Sequence, residues 1–199
     1  MALVGKKFPN ITVQSIDKTG QNKKVNILEE AQKNNKKVLL FWYPKDFTFV
    51  CPTELYAFEA AVAEFEKRNT IVIGASCDTP EVHFAWLNTP KNNGGIQGVN
   101  YPLVADSNRN LASTLGILDI SNNVTYRATY LIDEDGTIFH ESINHMPLGR
   151  NVSEFIRLVD AYIHVQENGE VCPANWQKGD IAMHANREGV ADFLEKHVN

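Results

Sequence analysis

The chain has 199 residues, 43% of them apolar and 22% charged, and carries a net charge of −5 at pH 7. That composition suits one globular domain with an appended tail, whose core forms without disulfide staples. With no basic stripe to offset it, the acidic balance argues against nucleic acid as a partner.

The opening MALVGKKFPN lacks the ~7–15 apolar residues of a signal peptide. The longest apolar run, VLLFWY, falls far short of the ~20 residues that cross a bilayer. The expectation is a soluble, cytoplasmic protein with no membrane partner. Residues 11–27, ITVQSIDKTGQNKKVNI, alternate, turn at Asp17 to Gly20 and alternate again, as an N-terminal hairpin does. The run KNNKK at 33–37 reads as a solvated helix end or loop. KVLLFWY (37–43) is a strand buried on both faces. From Pro52 the period becomes helical, with Leu55, Phe58, Val62 and Phe65 on one side. TIVIGASC (70–77) is a second buried strand, and PEVHFAWLNT (80–89) a helix opened by Pro80 and capped by Thr79.

YPLVADS (101–107) and LASTLGIL (111–118) repeat the strand-then-helix order. RATYLIDEDGTIFHESI (127–143) is a strand, a tight turn and a returning strand. NVSEFIRLVDAYIHV (151–165) is a long amphipathic helix, with Asn151 and Glu154 spaced as a capping box. The alternation implies an α/β fold, a central sheet with helices on both faces. After Gly169 the core pattern fades. The predicted boundaries are therefore a domain over 1–168 and an arm over 169–199 that ends in one short helix.

Three cysteines, Cys51, Cys77 and Cys172, form no C-x-x-C pair, so neither a zinc ribbon nor a dithiol motif is supported. In a reducing compartment such cysteines either pack or react. Cys51 stands where a buried strand hands over to a helix, just before Pro52, so it falls at or next to the N-cap. Free backbone N–H groups and the helix dipole favour an anion there. A free cysteine, with pKa ~8.5, is about 3% thiolate at neutral pH. Lowering such a pKa to ~6 needs about 3.4 kcal/mol, and a helix terminus supplies at most ~2 kcal/mol. A cation must make up the rest. Lys45 is the nearest in sequence and is expected to be solvated. Arg127, opening an apolar strand where a charge is costly unless paired, is the candidate; a strand-end arginine reaching for water is the other reading. Thr48, three residues before Cys51, brings a hydroxyl within reach of the sulfur in a folded turn.

These residues resemble the peroxiredoxin family. Pro44, Thr48 and Cys51 form its P-x-x-x-T-x-x-C signature within YPKDFTFVCPTEL, Arg127 in YRATYLID matches a second block, and Cys172 in GEVCPANW a third. HFAWLNTP, YPLVAD and PLGRNVSEF extend the similarity over nearly the whole chain. The pattern is most similar to the typical two-cysteine class, in particular the bacterial alkyl hydroperoxide reductase C group. The resemblance implies a thioredoxin-like fold with a central mixed β-sheet flanked by helices. It also implies a thiol peroxidase in which Cys51 attacks peroxide and Cys172 resolves the sulfenic acid. Thr48 and Arg127 would stabilise the reacting atoms, Pro44 would shield them, and Glu54 and Arg150 would hold Arg127. Glu54 also reads as a plain first-turn acid.

The same resemblance implies hydrogen peroxide and organic hydroperoxides as substrates, in a pocket lined by Phe47, Phe49 and Val50. It implies recycling by thioredoxin or a dedicated disulfide reductase, and a homodimer joined into a ring-shaped decamer. No cofactor or metal is implied: the sequence has no dinucleotide fingerprint, and its six histidines lack ligand spacing. Cys77 and His83 read as packing residues, and Trp176 as holding the arm down. Two segments depart from members that overoxidise easily, Gly94-Gly95-Ile96-Gln97-Gly98 and Phe193-Leu194, and the expectation is intermediate or higher resistance. A holdase chaperone and a cysteine hydrolase are the rival functions. The intact signature argues against the first, and no histidine near Cys51 in sequence supports the second.

Overall fold

A computed structural model describes residues 2–198. The chain divides into two compact units, Met1–Val152 and Ser153–Asn199.

In the first unit, β1 (Thr12–Ile16) and β2 (Asn22–Asn26) form the expected antiparallel hairpin, with Val13 opposite Val25. Its turn is held by the Asp17 carboxylate, which accepts from the Thr19 amide at 2.9 Å, and by Gly20 at φ 81°, a conformation glycine adopts without strain. The hydrogen bond from the Thr19 hydroxyl holds the Asp17 carboxyl below its ordinary value. Asn26 caps α1 (Ile27–Asn34) by accepting from the Glu29 amide.

Every residue of β3 (Lys37–Trp42) is buried. It leads into α2 (Cys51–Glu66), then β4 (Thr70–Ser76) and α3 (Pro80–Asn88), the last capped by the Thr79 hydroxyl as its sequence predicts. β5 (Leu103–Ala105) and the short α4 (Asn110–Thr114) follow. A two-stranded ribbon, β6 (Leu118–Asp119) with β7 (Val124–Thr125), precedes the hairpin β8 (Arg127–Ile132) and β9 (Ile138–Asn144). The seven-stranded sheet runs β2-β1-β5-β4-β3-β8-β9. β3, β4 and β5 are mutually parallel and the other neighbours antiparallel, so the sheet is mixed.

Strand alternation assigns each face its helices. Val38, Leu40 and Trp42 point into a cluster with Ile27 and Ala31 of α1 and Leu111 of α4. Phe41 points the other way and stacks on Phe58 of α2, centroids 4.0 Å apart. Burying one such aromatic contributes roughly 1.5–3 kcal/mol. That stack fixes α2 across the C-terminal end of β3, where its first turn faces the start of β8.

The second unit holds α5 (Val152–Asn168) and α6 (Arg187–His197). α5, which the sequence reading grouped with residues 1–168, falls in the same compact unit as the tail. Within it Trp176, only 2% exposed, accepts at its carbonyl from Arg157 of α5 at 3.0 Å, and its ring lies 5.0 Å from that of His164. Among the described residues, no helix is long and apolar enough to cross a membrane.

Candidate active site

Cys51 is the first residue of α2 and has no solvent exposure. Val50 before it is already helical (φ −83°, ψ −35°) and gives no side-chain cap, while Pro52 occupies a position where a missing N–H costs nothing. The sulfur therefore lies beside the free N–H end of a helix of 16 residues. Arg127 enters from the first residue of β8, 4% exposed, and brings Nη1 to 3.3 Å from Cys51 Sγ. The same nitrogen donates to Glu54 Oε2 at 2.7 Å, and Arg127 Nε donates to the Met146 carbonyl. Of the two readings left open for Arg127, the buried and paired one is what the fold adopts.

Glu54 lies one helical turn after Cys51 and is 3% exposed. Arg150 donates to it from Nε and Nη2, both at 2.9 Å, and from its backbone amide at 3.0 Å. Arg150 also donates to the Ala128 carbonyl at 2.9 Å, and its guanidinium lies 5.2 Å above the Phe41 ring. Burial pulls the Arg150 guanidinium below its ordinary value, against the pull of Glu54. A carboxylate clamped by two guanidinium groups satisfies most of its lone pairs, as a buried anion must.

Residues 43–50 connect β3 to α2. Pro44 is buried, Thr48 half-buried, and Phe47 sits in the left-handed region at φ 54°. Thr48 donates its hydroxyl to the Lys45 carbonyl at 2.8 Å rather than to the sulfur, leaving its oxygen free to accept. Lys45 is exposed, as expected. The apolar lining expected from Phe47 and Phe49 differs: Phe49 is 94% and Phe47 50% exposed. Phe47 keeps its ring 5.9 Å from that of the buried Trp86, whereas Phe49 projects into solvent.

The sequence reading missed what lies beneath this connection. Asp46, Tyr43 and His83 form a buried cluster, with His83 Nδ1 2.7 Å from Asp46 Oδ2 and the Tyr43 hydroxyl 2.9 Å from Asp46 Oδ1. The available signal was an aspartate between prolines and aromatics, together with a histidine three residues before Trp86 on a buried helix face.

Cys172 lies in the second unit, half-buried, with Sγ 3.7 Å from the Ala161 carbonyl. Burial pushes its thiol up while Arg157 opposes. Cys77, at the end of β4, is pushed up to about 12 by burial and packs against the core. All three cysteines are free.

Residues 4–141 match the model of the AhpC/TSA family, and residues 161–196 that of the C-terminal domain of 1-Cys peroxiredoxin. The chain is 46% identical over 178 residues to alkyl hydroperoxide reductase C of Helicobacter pylori, covering 88% of this chain and 89% of that one. It is 42% identical to alkyl hydroperoxide reductase C of Buchnera aphidicola, with 98% of both chains covered. The reduced 2-Cys peroxiredoxin of Plasmodium vivax superposes with a TM-score of 0.93 at 37% identity, over 98% of this chain and all of that one. Sequence and fold agree over both units, and the chain belongs to the AhpC/TSA family of peroxiredoxins.

Proposed function

We propose that the chain is a thiol peroxidase that reduces hydrogen peroxide and organic hydroperoxides, with Cys51 as nucleophile. The observation that carries this is the guanidinium of Arg127 placed 3.3 Å from a fully buried sulfur at a helix N-terminus. Arg127 and Arg150 bring two positive charges to the buried cluster and Glu54 one negative charge. A thiolate at Cys51 supplies the missing counter-charge, whereas a neutral thiol leaves one cation uncompensated. The dipole and the guanidinium together are the aid that a helix end alone lacks.

In this reading the thiolate attacks one peroxide oxygen, the O–O bond breaks, and the leaving oxygen takes a proton and departs as water or an alcohol. Cys51 becomes a sulfenic acid. Arg127 stabilises the developing negative oxygen, and Thr48, its oxygen unspent, orients the peroxide. Pro44 shields the sulfur on the loop side, while Glu54 and Arg150 hold Arg127 in place. The Cys172 thiol then condenses with the sulfenic acid, forming a disulfide and releasing water. A dithiol protein such as thioredoxin, or a dedicated flavoprotein reductase, returns both thiols. On the family resemblance, residues 169–199 form the arm that delivers Cys172 to the partner chain of a homodimer, and dimers join into a decamer. The setting proposed for this thiol cycle is the cytoplasm, a reducing compartment. The holdase alternative draws no support from the comparisons.

The test is one equivalent of hydrogen peroxide added to reduced protein, followed by a non-reducing gel and measurement of residual peroxide. The expected result is a dimer band that disappears in both Cys51→Ser and Cys172→Ser, with peroxide consumption abolished in the first only. Peroxide left untouched by the parent protein would refute the assignment.

A further inference from the structure

His83 lies on the buried side of α3, and its ring, like that of Tyr43, has no exposure; Asp46 is 2% exposed. The hydrogen-bonding geometry dictates how many protons this cluster holds. His83 Nε2 is 3.1 Å from the Val104 carbonyl, which only accepts, so Nε2 carries a hydrogen. Nδ1 then faces Asp46 Oδ2 at 2.7 Å, a distance that two lone pairs do not tolerate. One further proton must lie between them. Tyr43 donates to the other carboxylate oxygen, and Asp46 donates its own amide to Asp78 Oδ2 at 2.9 Å. With the Tyr43 hydroxyl donated to its other oxygen, Asp46 is assigned as the carboxylate and His83 as the imidazolium.

The groups facing the ring are Asp46 and Tyr43 from the β3–α2 connection, Asp78 from the β4–α3 turn and the Val104 carbonyl from β5. Burial alone would pull the imidazolium down, but the hydrogen bond and charge of Asp46 outweigh it and hold His83 above its ordinary value. The cluster also explains a strained neighbour. Phe47 keeps φ at 54°, and a bulky residue persists there only where its surroundings leave no alternative. Asp46, anchored through both side chain and amide, supplies that constraint.

We propose that His83 is a positioning residue whose imidazolium grips Asp46 and thereby holds the 43–50 connection, with Thr48, in register over the Cys51 sulfur. Loss of the one buried proton turns the Nδ1–Asp46 contact repulsive and slackens the connection on the alkaline side. The kinetic consequence rests on the peroxidase reading; the structural one does not. An ordinary thiol gains reactivity as pH rises, so an alkaline fall has the opposite sign to thiol titration.

Two measurements on the reduced full-length protein test this. Long-range nitrogen–proton NMR of labelled histidine reads the ring charge, and amide exchange reads the Asp46 N–H. Both ring nitrogens of His83 are expected to be protonated at neutral pH, with Asp46 amide protection lost as the ring titrates. A neutral ring at neutral pH, or protection indifferent to the titration, overturns the proposal whatever the protein's activity. The second measurement is the single-turnover rate of Cys51 oxidation by hydrogen peroxide from about pH 6 to about pH 10. The expected alkaline fall is about tenfold, a fraction of the ~10²–10³ lost when a preorganised donor is removed. Its midpoint should match that of the ring, and His83→Gln should give a lower, flat profile. No fall in the parent, or the same fall in His83→Gln, overturns the proposal. If Cys51 ignores peroxide at every pH, the peroxidase reading fails and the NMR arm decides the positioning role by itself.

Discussion

Glu54 is the residue on which both guanidinium groups converge, and removing its charge should be more disruptive than its size suggests. Glu54→Gln keeps the shape but leaves two buried guanidinium groups with at most the Cys51 sulfur as counter-charge, so urea midpoints should show a loss of about 3–5 kcal/mol. Arg127→Gln should slow single-turnover oxidation of Cys51 by about 10²–10³, because a donor aimed at the developing oxyanion is lost. Cys77 gives the opposite expectation. With its thiol pushed up to about 12, it should be alkylated slowly by iodoacetamide at neutral pH, and Cys77→Ala should leave the peroxide rate unchanged. His83 adds a stability window. A folded-state value raised above the ordinary 6.5 stabilises the fold fully below that value, and the contribution is lost as pH rises through the folded-state value. Melting temperature should therefore fall on the alkaline side, and fall less in His83→Gln.

At the scale of elements, α2 is held by two different kinds of contact. Its first turn is tied by the ion pairs of Glu54, whereas its later turns are fastened to residues 95–101. Tyr56 donates to the Gly95 and Gln97 carbonyls at 3.1 Å, Glu59 accepts from the Asn100 amide at 2.8 Å, and Tyr101 donates to the Leu55 carbonyl at 2.8 Å. The receiving loop packs closely on its own backbone: a Cβ on Gly95 would meet the Thr89 carbonyl oxygen at 1.9 Å, so only glycine fits. Tyr56→Phe should cost about 1 kcal/mol in denaturant midpoint and raise amide exchange in the second and third turns of α2. Exchange confined to the first turn would show that the fastening does not hold those turns.

For the whole molecule, the decisive feature is that Cys51 has no exposure. A disulfide with any second thiol requires sulfurs about 2 Å apart, so on the proposed peroxidase reading the first turn of α2 must open before Cys172 can act as resolving thiol. On the same reading, the balance between that opening and a second peroxide attack would set how much sulfinic acid accumulates. The departures at 94–98 and 193–194 lead to an expected lower yield of sulfinate under excess peroxide than in a relative carrying the sensitive pattern, read by mass spectrometry of the Cys51 peptide. Equal accumulation in the two proteins would remove the support for that expectation.

The strand-and-helix order, the hairpins and the Thr79 cap were legible in the chain because each rests on local periodicity and turn chemistry, which act over a few residues. The signature around Cys51 was legible too, and so was the demand for a distant cation, since a helix end is electrostatically too weak to act alone. Arg127 was already the candidate; whether it is buried and paired or reaches for water was decided only by the fold, when β8 was laid beside β3 and Arg127 came within reach of α2. The buried grip of His83 on Asp46 was also beyond sequence reading. Those residues are 37 apart in the chain, and packing alone decides whether a histidine on an apolar face fills space or holds a proton.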